Sequence, residues 1–192
     1  NKCGGENKAE PWPRTVYFHG YGEVASDYDF MAHEFMNLPA SLVVFEFRGY
    51  GWSSKAAPKF STLLSDAQCC LNAVPGILQQ VGLDNPGAVP LVLFGRSMGS
   101  LTAVHLAVTN PVAGLVIESG MSAMRRLLGE FPTNEAKIAR VTAPVLVMHG
   151  EEDELLPVQL PPSSTPAASS GSRMASRAVP SAAGAAAPGP AR

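Results

Sequence analysis

Cysteine is scarce in this chain. Cys3, Cys69 and Cys70 are the only three among 192 residues. An odd number with two adjacent members excludes a disulfide framework. The spacing does not suit a metal-ligand set either, so no metal and no cofactor is expected. Cys69 and Cys70 fall in a predicted helix, where they read as small apolar residues against the core. Sparse cysteine is in keeping with a reducing compartment, a cytoplasmic location being the default. Positive charge is not in excess. The formal net charge is -2, which gives no bias toward nucleic acid or an anionic membrane surface. Long apolar runs are absent: none reaches the roughly 18 residues of a membrane span, and no signal-peptide pattern opens the chain. The first residue is Asn1 rather than Met, so targeting is not read from that end.

Two further absences divide the chain. Beyond residue 160 there is no acidic residue and no aromatic, and Ala, Ser, Pro and Gly make up 26 of the 32 residues 161–192. Such a segment cannot bury enough apolar surface to offset its ordering entropy, and disorder is expected there. The second absence is histidine, which occurs at His19, His33, His105 and His149 and nowhere later. The chain therefore reads as a lead over 1–13, one domain over 14–157 and a low-complexity tail over 158–192.

Within 14–157, short apolar runs alternate with helical spacing. Strands are expected at Thr15 to Phe18, Leu42 to Phe47, Pro90 to Phe94, Val112 to Ile117 and Pro144 to Met148. Helices are expected over 28–37, 61–82 with a kink at Pro75, 98–108, and Ala123 to Leu128. Continuous apolar strands separated by helices imply an α/β fold, a mostly parallel sheet covered by helices on both faces. In such sheets ligands bind beyond the carboxyl ends of the strands.

The most specific motif is Gly95-Arg96-Ser97-Met98-Gly99, preceded by an apolar strand and followed by a helical run. This is G-x-S-x-G, whose spacing allows a tight strand-to-helix turn with an exposed serine hydroxyl. The glycines let neighbouring backbone pass closely. The helix N-terminus favours developing negative charge. His19-Gly20-Tyr21-Gly22 ends the first strand, Arg48-Gly49-Tyr50-Gly51 follows the second, and His149-Gly150-Glu151-Glu152-Asp153 ends the last apolar strand.

With these motifs the chain resembles α/β-hydrolase fold serine hydrolases of the serine aminopeptidase-like and acyl-protein-thioesterase-like branch, from about Val16 to Pro157. The resemblance implies Ser97 as nucleophile, Asp153 as the triad acid, and the amides of Tyr21 and Met98 as oxyanion donors. Glu118, at another strand end, is the runner-up acid. The substrate would carry an ester, thioester or amide: an acyl-bearing small molecule, a lipid or an acylated protein. Chain order in this fold is Ser, acid, His, and no histidine follows Asp153. His19 and His149 read as braces of their turns, His33 and His105 as helix residues. Loss of the last helix, strand and histidine loop through a frame shift, a splice junction or truncation is the expected cause, with the fold incomplete at both ends. The 26 residues between Ile117 and Pro144 leave no room for a large cap domain, so an open site is expected. Two readings follow: a serine hydrolase that is inactive as written, or a non-catalytic hydrolase-like binding or regulatory protein.

Overall fold

A computed structural model describes residues 13–37, 40–82, 89–121, 134–150, 153 and 174–179. Five parallel strands form the sheet: β1 (Arg14–Phe18), β2 (Ser41–Phe45), β3 (Leu91–Arg96), β4 (Gly114–Glu118) and β5 (Val145–Gly150). The spatial order is β2-β1-β3-β4-β5, and a sixth strand, β6 (Met174–Val179), closes the far side antiparallel to β5. The helices are α1 (Asp29–Met36), entered through a 3-10 turn at Ala25–Tyr28, then α2 (Phe60–Gln80), α3 (Gly99–Thr109) and α4 (Asn134–Ile138). The expected helix at Ala123 to Leu128 lies outside the described residues. Among those residues, no helix is long and apolar enough to cross a membrane.

Strand β1, flanked by β2 and β3, is buried along its whole length, as expected of a strand inside a parallel sheet. Side chains alternate across a strand, and here the alternation sorts the helices. Val16, Phe18 and Leu93 join α2 and α3 in one core cluster with Leu71, Leu101 and Leu106. Tyr17 points the other way. Its ring centroid lies 4.5 Å from Tyr28, at the entrance of α1, and 4.7 Å from Phe94. The sheet is thereby covered on both faces. Burial also raises the Tyr17 phenol pKa to about 12.

Helix α2 buries Leu63, Ala67, Leu71, Val74 and Leu78, a stripe at helical spacing. It runs through Pro75 unbroken. That stripe corrects the reading of Cys69, which is exposed because it points away from the apolar row, while Cys70, at the edge of the row, is half-buried. Burial, with Asp66 and Cys69 nearby, raises the Cys70 thiol pKa to about 11. Helix α3 is buried nearly all round, being wedged between the sheet, α2 and α4.

Strand β6 departs from the disorder expected of the tail. Met174–Val179 pairs with Val145–Gly150 over six residues. Ladder hydrogen bonds join backbone groups, so a segment from a stretch rich in small residues can still satisfy the open edge of β5.

Candidate active site

The turn from β3 into α3 is built as the glycine spacing predicts. Ser97 has φ 48°, a left-handed conformation that costs a non-glycine residue about 1–2 kcal/mol. Its neighbours hold it there. The Ser97 amide donates to the Glu118 carbonyl at 2.9 Å, and its own carbonyl accepts the Ser100 amide at 3.0 Å and the Ser100 hydroxyl at 2.6 Å. The fully buried Ser100 Oγ in turn accepts from the Met121 amide at 3.1 Å and from Asn134 Nδ2 at 3.0 Å. Both motif glycines are sterically necessary. A Cβ on Gly99 would meet the Phe18 carbonyl oxygen at 2.0 Å, and one on Gly95 would meet the Gly99 oxygen at 2.6 Å and Ala103 Cβ at 2.7 Å. The serine thus stands at the carboxyl end of β3 and the amino end of α3.

The turn after β1 comes to the same place. A Cβ on Gly20 would lie 3.3 Å from Ser97 Cβ. His19 is fully buried, and its Nδ1 lies 2.8 Å from the Gly20 carbonyl oxygen. A carbonyl only accepts, so Nδ1 carries the proton of that bond. The other ring nitrogen faces Glu46 Oε1 at 3.2 Å and the Phe47 amide at 3.4 Å. Both nitrogens are engaged within the protein, in keeping with a brace. The Tyr21 side chain is exposed, whereas Met98 is buried at the start of α3. Among the described residues, neither amide donates to a protein acceptor.

A cavity of about 420 Å³ opens beside these two residues, lined also by Tyr50, Phe60, Leu63, Arg48 and Asp66. Arg48 and Asp66 form an ion pair at 2.6 Å.

Asp153 lies just beyond β5. Its carboxylate is 3.4 Å from His149 Nε2, and its amide donates to the Gly150 carbonyl at 3.3 Å. The histidine beside it is therefore the one that ends its own strand. Among the described residues, no histidine bonds the Ser97 hydroxyl. His33 is exposed on α1, and His105 is half-buried on α3, where burial lowers its pKa. The runner-up acid, Glu118, is committed elsewhere: its Oε1 accepts from Arg96 Nη1 at 2.7 Å.

That contact belongs to a network which the motifs did not reveal. Arg96 Nε donates to Glu23 Oε1 at 2.9 Å, and Glu23 Oε2 accepts the Gly20 amide at 2.6 Å and the Tyr28 hydroxyl. Burial alone would raise the Glu23 pKa. The bonds from Tyr28, Gly20 and Arg96 outweigh it, and the net shift is downward. The same burial would lower Arg96, but its bond to Glu23 and the charges of Glu118 and Glu23 raise it. Arg96 was visible only as a variable position of the motif, and Glu23 had no signal in its surroundings.

Residues 9–134 match the family described as serine aminopeptidase, S33. An uncharacterized protein of Mycobacterium tuberculosis is 33% identical over 137 residues, covering 64% of this chain and 46% of that protein. The α/β hydrolase domain-containing protein 17C of Xenopus tropicalis is 30% identical over 131 residues, covering 62% and 39%. The chain thus spans less than half the length of these relatives. Among solved structures, an α-β serine hydrolase homologue from Coxiella burnetii aligns with a TM-score of 0.60 at 20% identity, covering 77% of this chain and 66% of that one. The monoacylglycerol lipase of Paleococcus ferrophilus aligns at 0.51 and 15%, covering 77% of each chain. These structures share the fold: five parallel strands, a strained serine between β3 and α3, and the family match together make this chain a member of the S33 serine aminopeptidase family of α/β hydrolases.

Proposed function

We propose that the chain carries the nucleophile half of a serine hydrolase acting on an ester, thioester or amide through an acyl-enzyme on Ser97. The observation that carries this reading is Ser97 at φ 48° with the Gly20 turn closed against it. Backbone strain in a non-glycine residue persists only where the surroundings enforce it, and such sites cluster at catalytic centres. In this reading Ser97 Oγ attacks the acyl carbon, and the Tyr21 and Met98 amides receive the developing oxyanion. The adjoining cavity falls within the size range of small-molecule sites and receives part of the substrate. An acyl-bearing small molecule, a lipid or an acylated protein suits it. Residues 14–157 are the hydrolase unit.

Asp153 serves as the acid that orients a histidine, and no histidine follows it in this sequence. A serine hydroxyl without an adjacent base is a weak nucleophile. Loss of the triad histidine costs about a millionfold in turnover. The chain as written is therefore inactive or nearly so. The second reading, a non-catalytic binding or regulatory protein using the same cleft, is favoured by the engagement of Asp153 with His149.

Three proteins separate the two readings: the chain, its Ser97→Ala variant, and the chain carrying a histidine-bearing strand and loop after Asp153. We expect the first two to hydrolyse short acyl esters equally slowly, and the third to show Ser97-dependent turnover. Ser97-dependent turnover by the chain itself would mean that His19, His33, His105 or His149 acts as base. Absence of turnover in a folded third protein would favour the non-catalytic reading.

A further inference from the structure

We propose that Glu23, held by Arg96, is a positioning residue that sets the oxyanion hole by locking the Gly20 turn against the nucleophile turn. The inference rests on the reading of Ser97 and Tyr21 given above and adds a residue to it.

The geometry runs through two adjacent peptide groups. Glu23 Oε2 accepts the Gly20 amide at 2.6 Å, and His19 Nδ1 donates to the Gly20 carbonyl at 2.8 Å. The Gly20 carbonyl and the Tyr21 N–H belong to one planar peptide unit. Fixing Gly20 at both its amide and its carbonyl therefore fixes the direction of the Tyr21 N–H. Glu23 could not hold that position alone, since its side chain is flexible and partly exposed. Its other oxygen is anchored by Arg96 Nε at 2.9 Å, and Arg96 is anchored by Glu118 at 2.7 Å. Arg96 and Glu118 face each other in the β3–β4 register. Arg96 immediately precedes Ser97, and the Glu118 carbonyl receives the Ser97 amide. The same arginine–carboxylate chain therefore ties the donor turn to the backbone that strains the nucleophile. Oxyanion donors act by being in place before charge develops, and small displacements are costly.

Phosphonylation by an alkyl fluorophosphonate tests the arrangement in the full chain. Ser97 Oγ bonds phosphorus, the P–F bond breaks, fluoride leaves, and imidazole in the buffer takes the hydroxyl proton. Intact mass followed over time at several probe concentrations gives the maximal labelling rate constant and the half-saturating concentration. In Glu23→Ala we expect the rate constant to fall about 10- to 100-fold, the scale of a misplaced donor. The half-saturating concentration should stay within about twofold, because Glu23 itself does not line the cavity. Glu23→Gln keeps an acceptor for Gly20 but loses the charge facing Arg96, and should fall between. Arg96→Met reaches the device from the other side and should resemble Glu23→Ala, while the double variant should lose no more than either single one. Ser97→Ala must not label. Unchanged rate constants in folded Glu23 and Arg96 variants, with the parent labelling at Ser97, would overturn the positioning role alone. A rise confined to the half-saturating concentration would do the same. The same variants are read in the histidine-bearing protein as well, and no Ser97-dependent labelling of either the parent or that protein would overturn the nucleophile reading and this inference with it.

Discussion

At the scale of single residues, the site is governed by close approach and by charge. Gly99 passes the end of β1 so tightly that a methyl group would sit 2.0 Å from the Phe18 oxygen. Gly99→Ala should destabilise the protein by about 3 kcal/mol or more, since both neighbours are backbone and cannot step aside. Urea denaturation measures this, and a cost below about 1 kcal/mol would show that the turn can relax. Glu23 makes a pH-dependent contribution. Its pKa in the folded protein lies below the ordinary 4.5, so folding favours its charged form. The stabilisation is fully present above about pH 4.5 and is lost as the pH falls through the folded value. Denaturation midpoints of the parent and Glu23→Gln should differ at pH 6–7 and converge in acid below 4.5. A gap that stays constant down to the acid limit would mean that Glu23 acts through packing rather than charge.

At the scale of elements, α2 and α3 are stabilised in different ways. Helix α3 is buried on nearly every side, so packing against its neighbours stabilises it. Its buried Ser100 and Thr102 are satisfied by local carbonyls, Ser97 O at 2.6 Å and Gly99 O at 2.7 Å, as buried hydroxyls must be. Helix α2 depends on one apolar stripe and carries Pro75 in its interior. A proline there removes an amide and crowds the carbonyl four residues earlier. The stripe of buried leucines and valine is enough to hold the helix continuous. Pro75→Ala should therefore stabilise by about 2 kcal/mol, the helical penalty less the entropy returned to the unfolded chain. A higher thermal midpoint is the expected result, and a lower one would show that the Pro75 ring makes contacts worth more than the missing hydrogen bond.

At the scale of the whole molecule, the sheet is the frame that brings the two turns together, and its edge is covered from an unexpected source. Removing residues 158–192 would take β6 off β5 and leave a row of unpaired backbone groups. The truncated chain should exchange its β5 amides faster and scatter more light as concentration rises. Equal exchange and equal scattering would mean that β6 adds nothing to the edge. The alternation of strands and helices, the serine turn and the glycines around it were legible in the sequence. Apolar runs and G-x-S-x-G spacing are local, and the covalent chain fixes them before any folding. The helix through Pro75 was legible too, since its helical spacing continues on both sides of the proline. The Glu23–Arg96 bond spans 73 positions, and the pairing of Arg96 with Glu118 depends on the register of two strands. Only the assembled sheet places those groups within reach. Strand β6 was hidden for a related reason. Ladder pairing is a backbone property, and a composition of small residues does not announce it. The engagement of Asp153 with His149 likewise came from the turn beyond β5, because the direction of a side chain at a strand end is set by the fold around it and not by the spacing of the motif.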